Sequence, residues 1–374
     1  MSRFCAVTLV AGLLAFSGCG PKPVQWTTFI DTGVAEAAAA IASHQDELYV
    51  VGTQSNPLTD RSVWLVQVLG KDGALKNKQT FAEGPVNVAA DAAVNDNGEL
   101  FICGRSNPRD TMLCLVVKTK PRVNALWKRG LVLGERCWGN GICVRPDGKV
   151  AVCGTVVDGD KTDMFVTLLD PDGKTVWTRA YDLGAVEDAL KIAAGLDNGL
   201  AVVGEVGAGC PDIVVLRLAP NGDTVWTRRY DSGGADTAGD ITFGVQGYIL
   251  ALGTARVNDS VKCVVLVYDS AGGVANRLAY GADAQAEGHG IFVTPQGDNF
   301  VTGRLLAPKG SAVLAFQYLP GATSVWERHC PIGTEGTGVD LVVRGDVFVA
   351  ATVQRKTQDI AVVRLTRPAI VPGK

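Results

Sequence analysis

Histidine and methionine are almost missing from this chain of 374 residues, which holds three of each. His44, His289 and His329 leave little material for general-base catalysis or for a histidine-built metal centre. No Gly-x-Ser-x-Gly elbow, His-Glu-x-x-His pair or Cys-x-x-Cys pair occurs, so those common nucleophile and zinc arrangements are excluded. An excess of either charge is missing too. Lys and Arg number 35 against 38 Asp and Glu, a formal net charge of −3, so no nucleic-acid partner is expected. What the chain does have is glycine, 45 residues, and 47% hydrophobic against 20% charged residues, a balance that excludes disorder. Such a composition favours many strands joined by tight turns over a helical bundle.

The N-terminus carries an address. Arg3 precedes an apolar run, Phe4 to Phe16, of signal-peptide length and short of the ~20 residues that span a bilayer as a helix. Phe16-Ser17-Gly18-Cys19 resembles the bacterial lipobox, in which the cysteine is diacylated and becomes the first mature residue. Phe16 departs from the usual leucine. The resemblance implies a lipoprotein signal peptide over 1–18, lipidation at Cys19, and a short tether over 19–23. The implied localisation is the bacterial cell envelope. Gly20 lacks the aspartate that marks inner-membrane retention, which favours the outer membrane. A plain secretory signal cut nearby, with Cys19 incidental, is the alternative.

An internal repeat dominates the remainder. An apolar strand ending in glycine and a polar residue recurs at Gly52, Gly104, Gly154, Gly204, Gly253 and Gly303, spaced by 52, 50, 50, 49 and 50 residues. Ala351 takes the slot in a seventh copy. Each unit reads as four strands, a to d, joined by Asp-Gly and Asn-Gly turns that supply the left-handed residue a tight hairpin needs. One position of strand a is always small: Ala38, Ala89, Gly139, Ala189, Ala238, Gly288, Gly338. An aliphatic follows three residues later in six of seven units, with Ala92 the exception. Radial packing explains both, with strand a innermost and the aliphatic filling the wedge between neighbours. The last unit stops without a strand d, while an orphan strand, residues 24–30, precedes the first. Its Trp26 matches Trp127, Trp177, Trp226 and Trp326; Asn77 and Asn276 hold that slot in the other two units. The expected fold is therefore all-β: a seven-bladed β-propeller of four-stranded blades over 24–368, closed by the N-terminal strand completing the last blade. Residues 369–374 are a tail.

The blade pattern (Asp-Gly turn, Val-x-Gly-Thr, Asp before strand c, Trp-x-Arg-x-Tyr in strand d) resembles the bacterial SBBP-type β-propeller repeat. Trp177-Arg179-Tyr181 and Trp226-Arg228-Tyr230 carry it best. That family is defined by fold and implies no single activity. Gly173–Trp177 and Gly222–Trp226 are also similar to the tryptophan-docking motif of PQQ-like propellers, some of which serve outer-membrane assembly. Those rings have eight blades, however.

Candidate chemistry is sparse. Just before the strand a aliphatic the seven units read Ala40, Asp91, Gly141, Lys191, Asp240, Gly290 and Asp340. Facing the axis, Asp91, Lys191, Asp240 and Asp340 would gather near one channel mouth and bind a cation or cationic ligand. Their plainer role is bonding to backbone amides or channel water, since each is otherwise a costly buried charge. His289 is the one histidine expected near the axis, as a wall residue. Neighbouring strands bring Cys103 towards Cys114, or Cys143 towards Cys153, which leaves disulfides open. Asn95–Gly98 and Asp170–Gly173 lack the later ligands of a calcium loop and read as hairpin turns, so no metal site and no cofactor is expected. The b–c connections are longer and mutually unlike, and variable loops on a rigid scaffold are where binding usually resides.

Three functions follow. The first is a non-enzymatic envelope lipoprotein, catalytic residues none, whose propeller is a rigid platform for a protein or glycan partner and meets the membrane through lipid on Cys19. The second is an enzyme of quinoprotein, lyase or glycosidase type with an acidic site at the mouth. The third is a secreted adhesion module.

Overall fold

In the computed structural model every repeat becomes one antiparallel sheet, and the seven sheets form a ring. Residues 23–367 are described, except 109, 110, 185, 282–284 and 320–323. Cys19, the leader, the tether before Pro23 and the tail lie outside them. Blade 3 shows the plan: strand a is Arg136–Val144, b is Val150–Asp158, c is Lys161–Leu169 and d is Thr175–Tyr181, hydrogen-bonded in that order. Blade 7 takes its first three strands from Glu335–Arg344, Asp346–Gln354 and Gln358–Leu365. Its fourth is the N-terminal strand Val24–Ile30, which pairs antiparallel with Gln358–Leu365, from Val24 opposite Leu365 to Ile30 opposite Ile360.

The two sequence landmarks turn out to be partners. The small residue of strand a stands opposite the repeat glycine of strand b in every blade: Ala38 with Gly52, Gly139 with Gly154, and so on to Gly338 with Ala351. One residue further along, strand a always bulges. A bulge tightens the local twist and leaves backbone N–H groups without ladder partners. The preceding blade supplies them. Ala38, Ala89 and Gly288 donate to the hydroxyls of Thr352, Thr53 and Thr254, each the residue after a repeat glycine or its alanine substitute, and Ala238 donates to the Glu205 carboxylate. The polar residue after the glycine therefore stitches blades together.

Apolar side chains collect in seven layers, each between two adjacent blades. Ile192 of blade 4 packs with Met164, Val166 and Leu168 of blade 3, and Ile41 of blade 1 packs with Phe348 and Val362 of blade 7. The strand a aliphatics fill the wedges as expected. All eight cysteines from Cys103 onward carry free thiols, seven of them buried. Cys103 stands opposite Val116 and Cys114 opposite Arg105, while Cys143 stands opposite Ala151. Neither pair considered for a disulfide is therefore in cross-strand register, and these thiols act as core side chains. Burial pushes those of Cys103, Cys114, Cys143 and Cys153 upward, which keeps them protonated.

Rigidity at the periphery comes from strand d. Trp26, Trp127 and Trp226 donate their indole N–H to backbone carbonyls in the c–d turn of the next blade, at 3.0–3.1 Å. Arg129 and Arg228 add hydrogen bonds to Gly173 O and Gly272 O in the same turns, and Tyr181 bonds Gly222 O. The turn glycines 73, 173, 222 and 272 adopt φ of +80° to +87°, and a Cβ on any of them would lie 2.9–3.1 Å from the docked tryptophan. Glycine is needed there twice over, for conformation and for space.

Candidate functional site

The ring proposed from sequence does assemble, at mid-height of the innermost strands and not at a mouth. Each ring residue is the first to regain register after the strand a bulge, and Asp91, for example, is the fifth of eight residues in Asn87–Val94. The Lys191 ammonium crosses blade 3 to meet the Asp91 carboxylate at 2.6 Å. Asp91 also accepts the N–H of Ile142, Asp240 that of Ile291, and Asp340 that of Ile41, at 2.9–3.0 Å. Each of these amides belongs to the next blade's strand a. Asp240 and Asp340 accept in addition from Ile241 and Leu341, at 2.7 Å. The blades that receive these bonds carry Gly141, Gly290 and Ala40 at the ring position. The spacing has a steric cause: a Cβ on Gly290 would sit 2.9 Å from Asp340 Cα, and one on Gly141 2.8 Å from Lys191 Cα. The three aspartates therefore tie blade 2 to 3, blade 5 to 6 and blade 7 to 1.

Ionisation in the ring is uneven. Burial works against the charge on Lys191, but Asp91, Asp240 and Asp340 outweigh it and hold the ammonium well above its usual range. Burial pushes Asp240 up to about 7, against the pull of Lys191 and with help from Asp340. Asp340 is likewise pushed up to about 6, burial again leading. Both folded values exceed the ordinary 3.8, so the folded protein holds more protons than the unfolded chain between about pH 4 and 7. Their contribution is fullest below that window and is lost as pH rises through 6 and 7. The melting temperature is therefore expected to fall between pH 5 and pH 8, each pKa unit being worth about 1.4 kcal/mol. An Asp240→Asn, Asp340→Asn double variant should flatten that slope in a pH series of thermal melts.

His289 occupies the bulge residue of blade 6, with its Nε2 3.5 Å from Glu287. It serves the wall.

The b–c connections differ from their expected form. In blades 3, 5 and 6, residues read as loops are largely paired strand: Asp158 still faces Lys161, Val257 faces Ser260, and Ala307 faces Gly310. In these three only two residues turn the chain at the tip, and Asn258 and Asp259 both adopt positive φ (50° and 59°) to do so; blades 1, 2, 4 and 7 keep longer connections. This face carries raised hairpins on blades 3, 5 and 6.

Between the hairpins lies chemistry that sequence reasoning missed. Asp163, Asp182 and Glu187 converge where blade 3 meets blade 4, and Asp212, Asp231 and Asp236 where blade 4 meets blade 5, carboxylate oxygens within 4.8 Å of one another. The first group borders a cleft of about 430 Å³ that also involves Asp160, Lys161 and Val186. Its signal was present in the d–a connection as Asp-x-Gly-x-x-Asp/Glu: residues 31–36, 182–187 and 231–236. The first Asp accepts the N–H of the glycine, and the buried acid five residues on accepts from the residue between them. Blade 2 closes the same turn with an amide, Asn87, whose NH₂ bonds Ser62 O and Gly84 O. Glu36 has no such donor while ionised, its Oε2 has no hydrogen-bond partner, and burial raises its pKa more than the bonds from Thr32 lower it.

No family model matches the chain, and no curated protein matches it in sequence. Solved structures match over most of its length. A polysaccharide lyase of family PL25, an ulvan lyase, aligns with TM-score 0.59 at 10% identity, covering 91% of this chain and 96% of that one. The Pan2 WD40 domain of Neurospora crassa aligns with TM-score 0.56 at 13% identity (89% and 90%). The β-propeller domain of the Trilobed protease from Pyrococcus furiosus, described as having an open velcro topology, aligns with TM-score 0.53 at 10% identity (90% and 98%). Enzymes and a WD40 domain stand side by side at these identities, so the likeness establishes the β-propeller fold and nothing narrower.

Proposed function

We propose that this protein is a non-enzymatic lipoprotein of the bacterial cell envelope, of SBBP repeat type, whose propeller is a rigid platform for a protein or glycan partner. One observation carries the reading. The N-terminal strand is a d strand, so it enters the ring from the face of the short a–b and c–d turns. A lipid on Cys19, five residues before Val24 and at most about 18 Å of extended chain away, keeps that face at the membrane. The raised b–c hairpins are then presented outward. Their mixed charge, with Lys161 beside Asp160 and Asp163, suits a polar partner surface. The axial carboxylates support the same reading from the other side. Each is held by backbone amides of the adjoining blade, which weighs against an acidic catalytic mouth there.

The test is a crosslinking pull-down of the full-length protein from its native membranes. A recurrent partner should be recovered, lost when Asp160 and Lys161 are replaced by Ala together, and displaced from the membrane fraction with Cys19→Ser. Recovery that ignores both changes would sink the platform reading.

A further inference from the structure

Blade 5 lacks the clamp that blade 4 uses. Where blade 4 has Trp226 and Arg228, blade 5 has Asn276 and Leu278, neither able to reproduce an indole and guanidinium laid over the next blade. The consequence is a cavity of about 420 Å³ at the junction of blades 5 and 6, lined by Asn276, Leu250, Val267 and Tyr318, with Val245 and Tyr248 at its rim. Val245 is 46% exposed and Tyr248 37%, an apolar rim open to solvent.

The repeat shows what this space is shaped to take. Tyr318 closes strand c of blade 6 as Tyr268 closes strand c of blade 5, each opposite the first residue of strand d after the same register shift. At the blade 4–5 junction the Trp226 ring packs on Tyr268 with centroids 5.7 Å apart. At the blade 5–6 junction Tyr318 has the same place and no tryptophan from its own chain. Leu250 is a wall of that place: Phe101, Phe300 and Phe348 hold the same strand b position in blades 2, 6 and 7, and each packs against the tryptophan of its own blade. The Tyr318 hydroxyl is buried and without a hydrogen-bond partner.

We infer that the blade 5–6 cavity is a binding site for an indole ring supplied from outside the chain, which takes the place that Trp226 holds at the preceding junction. The volume lies within the range of small-molecule sites. The ring would bury apolar faces against Leu250 and Val267 and stack on Tyr318. The site opens on the short-turn face, the one from which the N-terminal strand enters the ring at Val24, so a tryptophan presented from that side reaches it. The inference stands on the repeat geometry and does not depend on the envelope reading.

Two probes distinguish the source of the ring: free indole, and a blocked Gly-Trp-Gly peptide. Titration followed by saturation-transfer NMR should show indole binding with a Kd on the order of 1 mM, as suits nine heavy atoms. Equal or tighter binding of the peptide assigns a protein side chain, and binding of free indole alone assigns a small molecule. Asn276→Trp should abolish binding of both and raise the melting temperature by about 2 °C through filling the cavity. Should the tryptophan variant not fold, Asn276→Phe, which puts a smaller ring in the same strand d slot, should weaken binding of both probes several-fold. Absence of binding by both probes, or binding that survives Asn276→Trp undiminished, overturns the assignment.

Discussion

Replacing Gly154 by valine is expected to prevent the ring from closing, leaving aggregated protein or a melting temperature more than about 10 °C lower. The cause is space and not conformation. A Cβ on Gly154 would sit 2.0 Å from the carbonyl oxygen of Trp138 and 2.9 Å from the Phe165 ring. Five sister glycines face the same obstruction from the residue before the small strand a position. For Gly52 it is Ala37 O at 2.4 Å, and for Gly303 it is Glu287 O at 1.9 Å. The bulge that follows turns that carbonyl towards strand b, so only backbone movement relieves the contact. Blade 7 shows that a methyl can be accommodated, with Ala351 opposite Gly338. Gly154→Ala should therefore fold at a cost of about 1–3 kcal/mol, the range for overpacking. A valine adds two further carbons against Phe165, with one rotamer to escape into. Thermal melts of the pair decide it: similar melting temperatures for alanine and valine would show that the strands separate easily and that the argument from close approach is wrong.

Deleting residues 24–30 should be as damaging, by a different route. The N-terminal strand pairs with Gln358–Leu365, and without it that strand becomes a sheet edge whose Ile360, Val362, Val363 and Leu365 are almost fully buried in the intact ring. An unprotected apolar edge pairs with other chains. Ile30, 3% exposed, is worth about 2 kcal/mol of burial on its own. Each ladder hydrogen bond adds about 1 kcal/mol. The bonds of Trp26 to Lys71 O and Thr28 to Gly73 O, which tie blade 7 to blade 1, go as well. The expected result is self-association on a sizing column and loss of a cooperative melt. A synthetic peptide of the deleted sequence should restore part of both. A deleted chain that stays monomeric with an unchanged melt would mean that the first six blades carry the stability alone.

Much of this architecture is legible in the amino-acid sequence. The four-strand unit and its copies rest on contacts within a blade, between residues close in sequence, and the borrowed last strand, though it pairs across the whole chain, repeats the d-strand pattern. Alternation of apolar residues and glycine turns records such contacts directly. Trp26 in the d-strand slot is enough to assign the N-terminal strand to blade 7, where Val24–Ile30 is found. Asp91 and Lys191 are expected to approach one another, and they do. What those residues bond to is not legible. Asp240 takes the amide of Ile291 and Trp127 the carbonyl of Pro171, partners that lie 51 and 44 residues away and in another sheet. Which atoms meet there depends on the angle between blades and on the bulge in strand a, and neither leaves a period in the sequence.

The hairpin tips follow the same division. Composition marks them as loops, but in blades 3, 5 and 6 strands b and c keep pairing to within two residues of the tip. The acidic groups around Glu187 and Asp236 also need the ring. Their members come from strand c and the d–a turn of one blade and, in Glu187, the first strand of the next, so the groups sit at junctions between blades. The cavity beside Asn276 makes the point most clearly. A missing tryptophan is visible in an alignment of the seven repeats. That its loss leaves open space, and has not been repacked by its neighbours, depends on Tyr318 and Leu250 from two different blades. Local periodicity determined what each blade is; closure of the ring decided what lies between them.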